Sequence, residues 1–132
     1  GEMNCPVCKE PLIVLEQKQV ELDHCLSCKG IWLDSGELEL LLEDSREKDR
    51  ILSSFKLDRE CREAKRKCPI CSKKMDPVWC GSDNKVHIDR CPEGDGLWFD
   101  LGELERIIRA GSFGGSAEVL DWLKETFGKA SF

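Results

Sequence analysis

The sequence has no apolar run long enough to cross a membrane, and none near its start that resembles a signal peptide. It also lacks an even set of cysteines: there are nine, and six stand in C-x-x-C pairs. Without an export signal, this pattern argues against a disulfide framework and for metal binding. We therefore expect a cytoplasmic protein that does not contact a membrane and keeps its thiols reduced.

The chain contains an internal repeat. The stretch CLSCKGIWLDSGELE at residues 25–39 and the stretch CPEGDGLWFDLGELE at residues 91–105 agree at eight of fifteen positions. Each repeated unit spans only about 40 residues, which is too few to bury a self-sufficient apolar core without a metal or a partner. The repeat therefore predicts two small units that are stabilised by metal.

The rest of the chain divides around these units. The units occupy residues 3–45 and 68–110, and a charged connector that we expect to be helical occupies residues 46–67. Residues 111–132 begin with a Gly-rich hinge and continue as a short amphipathic helix whose apolar stripe lies within residues 116–127. This stripe predicts either docking on the chain's own units or binding to a protein partner.

In the first unit, two C-x-x-C turns are joined by a predicted β-hairpin, which would fold the two pairs of thiols face to face. Such a set of four sulfurs suits tetrahedral zinc. A rubredoxin-like iron site has the same ligands, and a thiol-disulfide function is the less favoured reading of the turns. We predict a zinc ion bound by Cys5, Cys8, Cys25 and Cys28.

The second unit has three cysteines in the matching places, but a glycine, Gly94, stands where the fourth would be. We favour Asp95 as the fourth ligand, because it is one step further along the same turn and zinc accepts carboxylate oxygen. His87 and Cys80 are the alternatives, and the unit could also bind zinc only weakly. The predicted ligands are thus Cys68, Cys71, Cys91 and Asp95. Cys61 has no cysteine at ligand spacing, and we interpret it as a free surface or interface thiol.

Each zinc motif is followed by Trp-x-Asp-x-Gly-Glu-Leu, which indicates the start of a helix. Asp34 and Asp100 are suitable N-caps, and Glu37 and Glu103 stand three residues later, where a carboxylate can reach back to the cap's N–H. We interpret these acids as capping groups rather than catalytic ones. We expect each Trp to cover its zinc turn and to pack on its own helix.

The motifs CPVC…CLSCKGIWLDSGELELL and CPIC…CPEGDGLWFDLGELERI are similar to those of the transcription-factor-IIB-type zinc ribbons of bacteria and archaea. The resemblance covers about two-thirds of the chain and implies structural zinc in a group of nucleic-acid-binding proteins. It also supports Asp95, because the family's variant second turn has a histidine at that position. The resulting fold class is a small metal-stabilised α+β chain of two tandem zinc ribbons, each a β-hairpin followed by a helix.

The charge distribution bears on the partner. The net charge is −6, yet the connector carries +4 while residues 1–45 carry −7. A nucleic-acid-binding, transcription-associated module would use the basic end of the connector. A protein-interaction adaptor would use the acidic ribbons and the tail helix. The sequence indicates no enzyme and no small-molecule substrate. The candidate phosphate-contacting residues are Arg62, Lys65, Arg66 and Lys67.

Overall fold

A computed structural model describes residues 3–17, 20–42, 48–80 and 86–110 of the chain. The predicted tail helix at residues 116–127 lies outside these residues. The described elements, in chain order, are β1 (Ile13–Gln17), β2 (Val20–His24), β3 (Ile31–Asp34), α1 (Glu37–Leu41), α2 (Lys48–Leu52), β4 (Lys56–Leu57), β5 (Asp76–Cys80), β6 (Val86–Arg90), β7 (Gly96–Phe99) and α3 (Glu103–Ala110).

Both zinc motifs belong to one antiparallel sheet of seven strands in the order β1-β2-β3-β7-β6-β5-β4. The hairpins β1–β2 and β5–β6 are the two that the sequence predicts, one in each unit. The two units meet where β3 pairs with β7, with Trp32 opposite Trp98 and Ile31 opposite Phe99. The two ribbons are therefore halves of a single sheet.

The two faces of this sheet carry different cores, because side chains alternate between the faces along each strand. The helices cover one face, where Leu38 of α1, Ile51 of α2 and Leu104 of α3 pack with apolar strand residues. The other face holds the two tryptophans, Met75 and the buried cysteines of both zinc turns. The metal-binding turns are thus stacked on the side of the sheet away from the helices.

The prediction that the connector is helical is wrong for residues 53–67. Helix α2 ends at Leu52, and Lys56 and Leu57 then form the edge strand β4, opposite Trp79 and Val78 of β5. No helix occurs between residues 53 and 67. Five residues of charged sequence make a marginal helix, whereas β4 gains backbone hydrogen bonds from the exposed edge of β5.

Candidate metal centres

The first metal centre is built from the two predicted turns. The sulfur atoms of Cys5, Cys8, Cys25 and Cys28 all lie within 4.8 Å of one another. In each turn, the residue after the second cysteine has a left-handed backbone: φ is 67° at Lys9 and 64° at Lys29. Backbone N–H groups of Val7 and Cys8 also point at the Cys5 sulfur, at 3.3 and 3.2 Å. These hydrogen bonds help to orient the Cys5 sulfur as a metal ligand.

The second centre brings together Cys68, Cys71, Cys91 and Asp95, whose ligand atoms lie within 4.8 Å of one another. Gly94 has a φ of 82°, and its N–H donates to the Cys91 carbonyl at 3.1 Å. This left-handed residue turns the chain so that the next side chain, Asp95, faces the thiols. Its Oδ2 atom lies 3.4 Å from the Cys91 sulfur and 3.6 Å from that of Cys68.

The other two candidates for this fourth position lie elsewhere. Cys80 is buried among apolar side chains on the helix-covered face, with its sulfur 3.8 Å from the Ser54 hydroxyl. His87 lies beside Asp58 and Cys61 rather than beside the second centre. Among the described residues, only Asp95 accompanies the three cysteines.

The distances fit tetrahedral zinc. With zinc–sulfur bonds of about 2.3 Å, two sulfur ligands lie about 3.8 Å apart, and a sulfur and an oxygen lie about 3.6 Å apart. The structure has 3.7 Å between the sulfurs of Cys5 and Cys28, and 3.6 Å between those of Cys71 and Cys91. The two centres are therefore zinc sites, one with four thiols and one with three thiols and a carboxylate.

The raised pKa values of two of the thiols also favour a bound cation. Burial raises the pKa of Cys28, and it raises that of Cys68 to about 12, because a desolvated thiolate beside other thiols is unfavourable. Hydrogen bonds from the Cys71 and Cys91 thiols lower the pKa of Asp95. A bound divalent ion reverses the balance for the thiols and allows them to ionise together. Zinc would serve here as a structural ion that joins the two turns of each unit.

The two tryptophans pack against the cysteines of the metal centres. Trp32 and Trp98 are fully buried, in one cluster with Cys5, Cys25 and Cys91. This rules out stacking on nucleic-acid bases in this fold. Their packing differs from the expectation, because they lie on the face opposite the helices and do not pack on them.

Each tryptophan instead fits over a glycine of the other unit. A Cβ atom at Gly30 would lie 2.2 Å from the ring of Trp98. A Cβ atom at Gly96 would lie 2.7 Å from the ring of Trp32. Each unit therefore supplies one tryptophan ring and also the glycine over which the ring of the other unit packs.

The two aspartates predicted as N-caps bind the tryptophans. The Asp34 carboxylate accepts the indole N–H of Trp32 at 2.8 Å, and that of Asp100 accepts the indole N–H of Trp98 at 3.1 Å. The N-cap of α1 is Gly36, with no side-chain capping bond, which corrects the prediction for Asp34. The predicted reach-back bond is present in the second unit, where Glu103 accepts the Asp100 N–H at 2.7 Å.

Arg66 links the connector to the second unit, a role that was not predicted from the sequence. Its guanidinium pairs with the carboxylates of Asp100 and Asp89, the latter at 3.5 Å. These charges raise the pKa of Arg66 against the opposing effect of burial. Burial raises the pKa of Asp89 to about 6, with Arg66 opposing the shift. Asp89 and Asp100 lie on the face of the sheet that carries the zinc centres. The alternation of side chains along the strands could have predicted this placement.

The remaining basic candidates are more exposed. Lys65 lies 3.7 Å from an oxygen of Asp76, while Arg62 and Lys67 are exposed. The four predicted residues thus do not form one free basic surface. In the part of the chain that the structure describes, no helix is long and apolar enough to cross a lipid bilayer.

Together, the shared sheet and the two thiol-rich centres define a tandem zinc-ribbon protein. The chain matches the model of the TFIIB-type zinc ribbon family, described as transcription factor zinc-finger, at residues 4–44 and 67–110. These segments cover more than half of the chain, which therefore belongs to this family; the predicted resemblance is confirmed. The comparisons with curated proteins and with solved structures give no match.

Proposed function

We propose that this protein is a non-catalytic binding module, held in shape by two zinc ions, whose partner is another protein. The observation that carries the proposal is the exposure of aliphatic side chains at the tips of the zinc turns. Val7 is 41% exposed, Leu26 is 57% exposed and Ile70 is 49% exposed. Rigidly held, exposed apolar side chains are the usual anchors of a protein interface.

The two turns of the first unit lie next to each other. The Ser27 hydroxyl donates to the Glu10 carboxylate at 3.0 Å, which joins the turn that carries Leu26 to the turn that carries Val7. The metal ligands fix the backbone of both turns. The backbone of the turns would therefore lose little conformational entropy on binding, which favours affinity.

The ligand sets support a structural role for the metals. Four thiols complete the tetrahedral shell of zinc in the first unit, and three thiols with Asp95 complete it in the second. Neither shell keeps a position for a substrate or for an activated water. Binding, rather than catalysis, is the function that such closed centres support.

The electrostatics favour a protein over nucleic acid. Arg66 is paired with two carboxylates, so its charge is already balanced within the chain. Lys65 lies near Asp76, and the net charge of the chain is −6. Phosphate binding depends on unpaired basic charge, and these ion pairs reduce it at the basic end of the connector.

Site-specific photo-crosslinking in cells tests this proposal. A photoreactive amino acid at position 26 should give a discrete crosslinked species, and the same group at Lys74, on the exposed surface of the second unit, should not. Leu26→Asp in a chain labelled at position 7 should weaken the crosslink while zinc content is retained. Equal crosslinking from both positions, or none from position 26, would contradict a specific interface at the zinc turns.

Nucleic acid is the second candidate, favoured by the family description and by the exposed Arg62 and Lys67. A titration of the zinc-loaded chain with single- and double-stranded DNA and RNA across a salt series tests it. Binding that weakens steeply with salt, and that is lost in Arg62→Glu/Lys67→Glu, would establish this candidate. Lys9→Glu/Lys29→Glu on the first unit is the matched control for the change in charge.

A further inference from the structure

We propose a third metal site, formed by Asp58, Cys61 and His87, which takes a divalent transition ion such as zinc. One ligand atom from each of these residues lies within 4.8 Å of the other two. The set combines a carboxylate oxygen, a thiol and an imidazole nitrogen, all of which zinc accepts. It is separate from both ribbon centres and uses none of their ligands.

The distance between two of the ligand atoms suits a shared metal. His87 Nε2 lies 3.2 Å from Asp58 Oδ2. Two ligand atoms bound to tetrahedral zinc at about 2.0–2.1 Å lie about 3.3 Å apart. His87 Nε2 is also buried, and within the described residues it has no hydrogen-bond partner of suitable geometry. The nearby carboxylate does not form a hydrogen bond with this nitrogen. A metal ion between the two residues would give the nitrogen a partner.

The backbone holds the ligands in place without a metal. Asp58 donates its N–H to the Pro77 carbonyl at 2.8 Å, which extends the β4–β5 pairing by one residue. Its Oδ1 atom accepts the Glu60 N–H at 3.1 Å, leaving Oδ2 to face His87. This bond closes a turn that brings Cys61 back toward the sheet. Asp58 and Cys61 thus form a D-x-x-C turn that resembles the C-x-x-C turns of the ribbons in spacing.

His87 is positioned by the sheet. It lies on β6 opposite Trp79 of β5, and the two rings are 4.7 Å apart between centroids. Strand alternation places Asp58, Trp79 and His87 on the same face of the sheet. Contacts that fix the orientation of a metal-binding imidazole raise the affinity of the site.

The site has three protein ligands and opens on a cavity of about 160 Å³, whose lining includes Cys61, His87, Arg66 and Asp89. The charge of Arg66 is balanced by Asp89 and Asp100, so a divalent ion next to it meets little net repulsion. An aspartate and a thiolate would neutralise the ion. With only one thiolate and one coordination position left for water, this site should exchange its metal more readily than the ribbons do.

The experiment uses the full chain after dialysis that leaves the two ribbon ions in place. We titrate it with zinc in competition with a chromophoric indicator and count the ions bound per chain. Wild type should take up one further ion, as should Glu63→Gln, which neutralises an exposed acid on the same cavity. Cys61→Ser and His87→Gln should each remove this uptake and keep two zinc ions. No uptake by wild type, or an undiminished uptake by both variants, overturns the proposal.

A second measurement needs no variant. Cys61 is half-buried, so an alkylating reagent should label it in the two-zinc protein, as peptide mapping would show. Coordination occupies the thiolate, and the further zinc ion should slow labelling of Cys61 by about tenfold or more. Labelling of Cys61 at an unchanged rate under saturating zinc would overturn the site.

Discussion

Trp32 and Trp98 stand at equivalent positions of the two repeats and lie directly opposite each other where β3 pairs with β7. Each ring fills the space above a glycine of the other unit. The two ribbons therefore share a core at their junction, and we expect them to unfold as one cooperative unit rather than separately.

The glycine under each ring should be essential to this junction. Gly30→Ala would place a methyl group 2.2 Å from the Trp98 ring, and we expect it to destabilise the folded chain. Overpacking of this kind costs about 2–3 kcal/mol. Urea unfolding with saturating zinc, followed by tryptophan fluorescence, measures the cost. Trp98→Phe combined with Gly30→Ala should cost less than the sum of the two single changes, and full additivity would contradict the contact.

Arg66 should stabilise the second unit through its two carboxylates. In the first unit the equivalent position is Met3: Leu12 donates its N–H to Met3 O at 2.9 Å, and Met75 donates to Arg66 O at 2.8 Å. Arg66→Met leaves Asp89 and Asp100 without their cation. We expect a loss of about 1–3 kcal/mol in the free energy of unfolding, allowing for partial exposure.

The reciprocal change tests the same idea in the first unit. Burial raises the pKa of Asp23 to about 6, and the charge of Asp34 adds to the shift. Met3→Arg would bring a guanidinium to these acids, and we expect a gain of up to about 1 kcal/mol. Met3→Gln, which has a similar length and no charge, is the control. A gain from the glutamine variant equal to that from arginine would argue against an electrostatic cause.

Glu103 should make stability depend on pH. Burial raises its pKa from 4.5 to about 7, against the effect of the hydrogen bond from the Asp100 N–H. The folded state thus favours the neutral acid, so this contribution is complete below pH 4.5 and is lost as the pH rises through 7. We expect wild type to lose about 1 kcal/mol between pH 6 and pH 8.

Glu103→Gln should remove most of that loss, because the amide oxygen can still accept the Asp100 N–H and carries no charge. Urea unfolding at pH 6, 7 and 8 with saturating zinc gives the comparison. Glu39→Gln on α1 controls for the removal of one negative charge from the chain. A pH dependence that persists unchanged in Glu103→Gln would assign it to another group.

The second zinc should be released before the first. A carboxylate binds zinc less tightly than a fourth thiolate does, because thiolate donates more charge to the metal. We expect an increasing concentration of a chelator to remove the two ribbon ions in two steps. Asp95→Cys should merge the steps, while Asp95→Ala should retain only one tightly held ribbon ion. Loss of the ions in one step from wild type would contradict a difference between the centres.

The zinc centres were predictable because their ligands lie in short turns whose geometry depends on neighbouring residues. A C-x-x-C turn places two thiols together whatever surrounds it, and a hairpin of fixed length brings the second turn back to the first. Asp95 could be favoured for the same reason, since it lies in the turn itself. The Gly-Glu-Leu segments likewise marked the positions where α1 and α3 begin.

The junction and the connector were not predictable in the same way. Pairing of β3 with β7 joins residues more than sixty positions apart, and only the repeated Gly-x-Trp pattern hints at it. Asp34 fits an N-cap by sequence, yet an indole N–H two residues earlier competes for the same oxygen. The connector alternates charges as a solvated helix does, but the free edge of β5 offered Lys56 and Leu57 better backbone partners.

The pairing of β3 with β7 carries an implication for the origin of the chain. Trp32 faces Trp98, its equivalent in the other unit, and the pairs on either side are exchanged symmetrically, so the arrangement has an approximate two-fold axis between the two tryptophans. A contact of this isologous kind is one that two identical copies can also make. A single ribbon would be complementary to itself through this strand, as a homodimer. Fusion of two such copies would then have freed each half to change alone, as Arg66 and Asp95 illustrate.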